Sequence, residues 1–206
     1  MTYLELRDSM KDFTVFSVRD ILRVDPAFHR RRLNEWQDKG YIRKVIKGFY
    51  VLADRALDEW ALFEIANRIY KPSYVSLESA LAHYQLIPES VYGVTSISTR
   101  RSYRFASSLA EFRYRTVTPR LFFSYDLAAA GARRVKIARP EKAVLDFLYL
   151  NPRLRSDADF GSLRFDAERF FQLVSEERLR TALARFGHKA LLERVERFLS
   201  YCRERS

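Results

Sequence analysis

The segment from Phe13 to Leu52 sets two short amphipathic helices, a break and a basic hairpin in immediate succession, and that order leaves few compact arrangements. Ser17 is placed to cap a helix carrying Ile21 and Leu22. Asp25-Pro26 interrupts it, allows a turn of about three or four residues, and opens a second helix that runs to Lys39. Gly40 stands where a left-handed C-terminal cap belongs. Tyr41–Val45 and Phe49–Leu52 are β-rich and meet through Ile46-Lys47-Gly48, whose glycine a tight hairpin needs. Tyr3, Leu4, Leu6 and Met10 fit a short first helix packed beneath. Together these signals predict a winged helix-turn-helix over residues 1–55, with the hairpin as its wing.

At about 100° per residue, Leu33 and Trp36 of the second helix fall on a core face, while Ala27, Arg30, Arg31, Asn34 and Asp38 share the other side. Arginine suits the O6 and N7 acceptors of guanine, and asparagine the N6/N7 edge of adenine. Arg30, Arg31 and Asn34 are therefore the candidate base-reading residues, with Lys44 and Lys47 on the wing reaching phosphates. The competing reading is a solvated basic face. Three adjacent arginines do not decide between the two; their place on the second helix of the motif favours double-stranded DNA.

Charge is unevenly spread over the 206 residues, whose formal net charge is +11. Seven Lys/Arg meet two acids between His29 and Tyr50, and ten meet two between Arg100 and Arg139, so an anionic partner is expected at either segment. A hydrophobic content of 48% supports a folded core rather than a disordered chain. Cys202 is the only cysteine, which excludes an internal disulfide and leaves the cytoplasm as the expected compartment. The N-terminus alternates apolar and charged residues, and no run approaches the roughly 18 apolar residues of a membrane span, so neither a signal peptide nor a membrane is expected.

A second domain is expected over 56–206, with an α/β part to 152 and a helical tail over 153–206. Leu57–Tyr70 has helical periodicity and is stopped by Lys71-Pro72; Ser76 is placed to cap a helix over Leu77–Leu86. From Val91 the period changes to two, giving strands at Val91–Ile97, Phe112–Thr116, Leu121–Tyr125 and Val135–Ile137, and hence a small, mostly antiparallel sheet. Pro140 opens a helix through Leu150. In the last helix Leu191, Leu192, Val195, Phe198, Leu199 and Cys202 form an apolar stripe, with Glu193, Arg194, Glu196 and Arg197 facing away. The fold class predicted is α+β.

Catalytic patterns are sparse. The six glycines are too dispersed for a phosphate or dinucleotide loop, so no cofactor is expected; His29, His83 and His188 stand singly, so no metal site is expected. A nuclease needs clustered carboxylates around a divalent cation. The basic sheet offers only Glu111 and Asp126, and Lys142 with Asp146 reads as a surface i,i+4 ion pair. Arg100, Arg101, Arg104, Arg113 and Arg115 lie among Tyr103, Phe105, Phe112 and Tyr114. That mixture reads equally as a second nucleic-acid or acidic-partner surface and as the solvated side of an alternating sheet.

Several stretches carry a resemblance. Lys39-Gly40-Tyr41-Ile42 through Lys47-Gly48-Phe49-Tyr50, Tyr74-Val75-Ser76-Leu77-Glu78-Ser79-Ala80-Leu81 with Leu86-Ile87-Pro88, Val91-Tyr92, Thr95-Ser96, and Ile137-Ala138-Arg139-Pro140-Glu141-Lys142-Ala143-Val144-Leu145-Asp146 follow in an order and spacing that resembles the AbiEi family of antitoxins and transcriptional regulators of type IV, abortive-infection toxin-antitoxin systems. The resemblance covers about Phe13 to Pro152 and departs at Arg139, where a small capping residue would suit better. It implies an N-terminal domain that binds the protein's own operator and represses the operon. It also implies a C-terminal domain that counters a nucleotidyltransferase-like toxin without having to touch it; the residues themselves offer no evident enzyme site, so no enzyme activity is expected. A one-component regulator sensing a ligand or partner, and more remotely a nuclease, are the other classes.

Overall fold

The computed structural model describes residues 1–88, 93–131 and 133–206. Its first elements are α1 (Tyr3–Met10), β1 (Phe16–Ser17), α2 (Val18–Val24), α3 (Arg32–Asp38), β2 (Ile42–Ile46) and β3 (Phe49–Leu52). The three strands form an antiparallel sheet in the order β1-β3-β2. Capping boxes start α1 and α2, Thr2 with Glu5 and Ser17 with Asp20, each pair satisfying two backbone donors that a helix end leaves free. Gly48 turns the hairpin at φ +85°, a conformation glycine adopts without strain. The Gly48 carbonyl accepts from the Val18 N–H at 3.1 Å, which ties the hairpin tip to the start of α2. Leu6, Phe16, Ile21, Leu33, Trp36 and Tyr50 are among the residues that close one hydrophobic cluster here.

α3 begins later than the sequence suggests. Asp25 Oδ1 accepts from the Ala27 N–H and the Asp25 carbonyl from the Phe28 N–H, both at 3.1 Å, so Asp25-Pro26 builds a turn instead of a helix start. The N–H groups of Arg32, Leu33 and Asn34 then bond back three residues, to His29, Arg30 and Arg31. Residues 25–31 are therefore a connection of tight turns, longer than the short turn expected.

The chain continues through α4 (Glu59–Ile69), β4 (Ser73–Val75), α5 (Leu77–His83), β5 (Gly93–Ser98), β6 (Tyr103–Ala106), β7 (Glu111–Thr116), β8 (Tyr125–Ala130), β9 (Arg133–Ala138), α6 (Pro140–Leu150), α7 (Asp157–Ser162), α8 (Ala167–Leu173), α9 (Glu176–Phe186) and α10 (Lys189–Arg203). Among the described residues the architecture is α+β: ten helices, the three-stranded sheet, a six-stranded sheet and a helical C-terminus. None of these helices is long and apolar enough to cross a membrane.

The larger sheet has the order β6-β7-β5-β4-β9-β8 and is mixed, with three antiparallel and two parallel pairings. β5 with β7 and β4 with β9 run parallel, a distinction that alternation along single strands does not encode. Leu121-Phe122-Phe123, read as strand, follows Pro119 through a single 3-10 turn, and the strand starts at Tyr125. Val91 and Tyr92, expected at the start of a strand, lie outside the described residues. Ser76 occupies the N-cap position of α5 but does not cap it; Thr95 Oγ1 accepts from the Ser79 N–H instead, at 3.0 Å.

α4 and α6 cover opposite faces of this sheet. Tyr114 donates to the Ala66 carbonyl of α4 at 2.9 Å, whereas Tyr74, pointing the other way, donates to Asp146 of α6 at 2.9 Å. Lys142 and Asp146 are fully buried, which corrects the expected surface pair. Lys142 Nζ bonds Asp146 Oδ1 and lies 5.0 to 5.5 Å from the ring centres of Phe123, Phe186 and Tyr74. Ser76 Oγ also donates to Asp146, at 2.9 Å. Burial pushes the Asp146 carboxyl up and the Lys142 ammonium down, and the bonds between them oppose both shifts.

The helical tail packs on α6 with one change from the expected pattern. Arg194 is buried and donates to the Leu148 and Pro152 carbonyls at 3.1 Å, while Leu192 is exposed. Cys202 is buried and its thiol is pushed up to about 12 by burial, which marks it as a core residue.

Removing one partner of the α6 pair strands the other charge. Asp146→Ala is expected to lower stability by about 3 to 5 kcal/mol, and Lys142→Met with Asp146→Asn by clearly less, because the neutral pair keeps an acceptor for Tyr74 and Ser76. Urea unfolding midpoints at constant slope compare the two; equal losses would deny the charge argument.

Candidate nucleic-acid interface

The capping box that starts α2, the turn into α3 and the tip of the β2–β3 hairpin converge on one open cleft of about 900 Å³. Its walls include Arg19 from α2, Arg30 and Arg31 from the turn, Asn34 from α3 and Lys47 from the hairpin. Leu33 and Trp36 are 2% and 3% exposed, so the helix turns its expected face inward, and Arg30, Arg31, Asn34 and Lys47 are all exposed. Arg30 and Arg31 precede α3 instead of riding on it, but the tight turns there keep them beside Asn34. Among the described residues, Arg19, Arg30, Arg31 and Lys47 join none of the ion pairs; the neighbouring acids are engaged elsewhere, Glu35 with Lys39 at 2.7 Å and Asp20 with Arg68 at 2.7 Å.

Two residues of the basic run behave differently. Lys44 is exposed on β2 opposite Tyr50, but the register shifts between Lys44 and Ile46, and Lys44 does not line the cleft. Arg32 turns back to donate to the Met1 carbonyl and packs 5.7 Å from the Trp36 ring, a structural use. Arg19, which sequence reasoning passed over, enters because Ser17 begins the helix; two residues after the cap, Arg19 projects from its first turn.

The arginines of the six-stranded sheet are mostly occupied. Arg104 and Arg113, register partners across β6 and β7, both pair with Glu111, at 2.7 and 2.9 Å, and their hydrogen bonds hold its carboxyl below the usual range. Arg115 donates to the Leu150 carbonyl at 3.0 Å, and Arg100 lies 4.4 Å from the Tyr70 ring. Arg101 is exposed. The aromatic residues between them are packed: Phe112 and Tyr114 are buried, Phe105 stacks on Phe112 at 5.2 Å, and Tyr103 on Tyr70 at 5.6 Å. The five arginines share a region, but four are engaged by protein groups, and of the four rings only Tyr103 is exposed.

Glu141 accepts from Arg178 at 3.1 Å, and Asp146 is sealed against Lys142. Among the described residues no three His, Cys, Asp or Glu are grouped to hold a metal ion. His83 pairs with Glu59 at 2.8 Å, and His188 caps α10. In comparison with known proteins, no family model and no curated protein matches the chain.

Asp20 fixes the cleft to the rest of the molecule. Its carboxylate accepts from the Ser17 N–H at 2.7 Å, the Ser17 hydroxyl at 2.8 Å and Arg68 of α4 at 2.7 Å. Burial alone would raise its pKa, but those bonds and the Arg68 charge outweigh burial and hold it below the usual range. The depressed carboxyl contributes stability that is complete above its unfolded pKa of about 3.9 and is lost as pH falls through the lower folded value. Asp20→Asn is expected to lower the melting temperature at pH 7 and to flatten its fall in the acid range. Parallel acid-melting curves for the two proteins would refute this.

Proposed function

We propose that the chain is a DNA-binding transcriptional repressor and antitoxin of the AbiEi type, with residues 1–55 acting as a winged helix-turn-helix on its own operator. The observation that carries DNA binding is the convergence of Arg30, Arg31, Asn34 and Lys47 on one cleft that, among the described residues, no acid lines. The element order α1, β1, α2, α3 and the β2–β3 hairpin supports the winged reading, with α3 and the turn before it in the role of recognition element. The antitoxin part rests on the sequence resemblance alone. In this reading residues 56–206 counter a nucleotidyltransferase-like toxin, without a requirement for direct contact, and the protein has no catalytic role.

Replacing Arg30, Arg31 or Asn34 with Ala is expected to cost about 1 to 3 kcal/mol each in operator binding and to relax base preference. Lys47→Ala is expected to weaken all duplexes alike and to reduce the salt slope by about one unit. Gel shifts on the protein's own promoter at two salt concentrations measure both. Unchanged binding by the Arg30/Arg31/Asn34 triple variant would remove the assignment.

The two roles are expected to separate by substitution in the full-length chain. Cutting at residue 55 is a poor test, because Val15, Val45 and Val51 pack into the larger hydrophobic cluster. With both proteins expressed from foreign promoters, the triple variant is expected to rescue growth of cells carrying the adjacent toxin gene as well as wild type does. Rescue that fails in step with DNA binding would show that neutralisation needs the cleft.

A further inference from the structure

A second cleft, of about 830 Å³, lies between α2, α4 and the β8–β9 hairpin, and it shares Ser17, Arg19 and Phe49 with the first. Arg19, Arg23, Lys71, Arg134 and Lys136 line it and are exposed. Its two acids are taken: Asp20 by Ser17 and Arg68, and Glu64 by the Thr14 hydroxyl, with Arg133 at 3.9 Å. Among the described residues, Arg19, Lys71, Arg134 and Lys136 form no ion pair; Arg23 alone leans toward Asp20, at 3.6 Å. The far wall is set in place, because Asn67 of α4 accepts from the Lys136 N–H through its side-chain oxygen at 2.6 Å.

We propose that this cleft continues the DNA track. On the reading that α3 and the hairpin hold a duplex, the duplex runs on past Arg19 and lays its phosphates against Lys71, Arg134 and Lys136. The residues beyond position 55 then supply affinity that carries no sequence information. Continuity with the first cleft favours this over a separate acidic protein. Single-stranded nucleic acid is disfavoured because, among the described residues, the only aromatic side chain lining the cleft is Phe49, half-buried and packed against the larger core, so bases find little to stack on.

The test uses the full-length protein and a mixed-sequence duplex of about 30 base pairs, with dissociation constants measured across a salt series. Each phosphate contact contributes about 0.9 to the slope of log affinity against log salt, so Lys71→Gln/Arg134→Gln/Lys136→Gln is expected to reduce that slope by about two to three units. Affinity at moderate salt is expected to fall roughly ten- to a hundredfold, with base preference unchanged. A triple variant with the wild-type slope, alongside a Lys47→Ala variant that lowers it, overturns the extended track and leaves the first cleft's assignment standing. If neither variant changes the slope, the assignment of the first cleft fails as well. Weakened binding of a single-stranded RNA of equal length with duplex binding intact also overturns the proposal. Hydroxyl-radical footprinting with wild-type protein gives a readout independent of the variants' folding: protection is expected on backbone beyond the segment that Arg30, Arg31 and Asn34 contact, and protection confined to that segment overturns the inference.

Discussion

The Lys142–Asp146 pair is the contact on which the larger part of the molecule hangs. Two charges removed from water are expensive, and the fold meets that cost by surrounding them: two hydroxyls on the carboxylate, three aromatic rings around the ammonium. The hydroxyls come from Tyr74, the middle residue of β4, and Ser76, just past its end; β4 is a central strand of the six-stranded sheet. One rings comes from the turn before β8 and another from α9. Sheet, helix and C-terminal tail thus meet at a single polar point, which ties α6 to β4.

The same helix explains where much of the positive charge goes. The last carbonyls of a helix lack internal partners and attract cations. Around the end of α6 the Leu148 and Pro152 carbonyls take Arg194 from α10, and the Leu150 carbonyl takes Arg115 from β7. These arginines, with Arg104 and Arg113 on Glu111, are structural ties. A net charge of +11 therefore overstates the surface available to an anion. What distinguishes Arg19, Arg30, Arg31, Lys47, Lys71, Arg134 and Lys136 is the absence of ion-pair partners among the described residues while they line two joined clefts.

Local rules carried much of this into the sequence. Ser17, Gly40, Gly48 and Pro140 act through backbone chemistry within a few residues, and the elements they bound stand where that chemistry puts them. Readings failed where a distant partner decided. Asp146 and Lys142 look like a surface i,i+4 pair because nothing nearby announces Tyr74 and Ser76. Arg194 sits on the polar side of its helix by periodicity, yet α6 offers it carbonyls. Tyr103-Arg104-Phe105-Ala106 pairs as an edge strand through its register with β7, with three of its four residues exposed, so it lacks the half-buried pattern that signals a strand. For the cleft, Arg30, Arg31, Asn34 and Lys47 were legible from the motif; Arg19 and the far wall on β9 required the tertiary fold.

Asp20 joins the two clefts mechanically as well as in sequence. Its capping bond with Ser17 sets the first turn of α2, from which Arg19 projects, and its bond with Arg68 sets that turn against α4. α4 in turn holds β9 through Asn67, and its cap Asp58 pairs with Arg133 at 2.8 Å. A chain of bonds thus runs from the start of α2 through α4 to the strand bearing Arg134 and Lys136. Association costs free energy for every group that must be ordered on contact, and surfaces already held in register avoid much of it. Only six residues separate Leu52 from Glu59, and the link is reinforced on both sides by ion pairs, so the spacing between the first and second cleft is a property of the folded chain and not of a flexible linker.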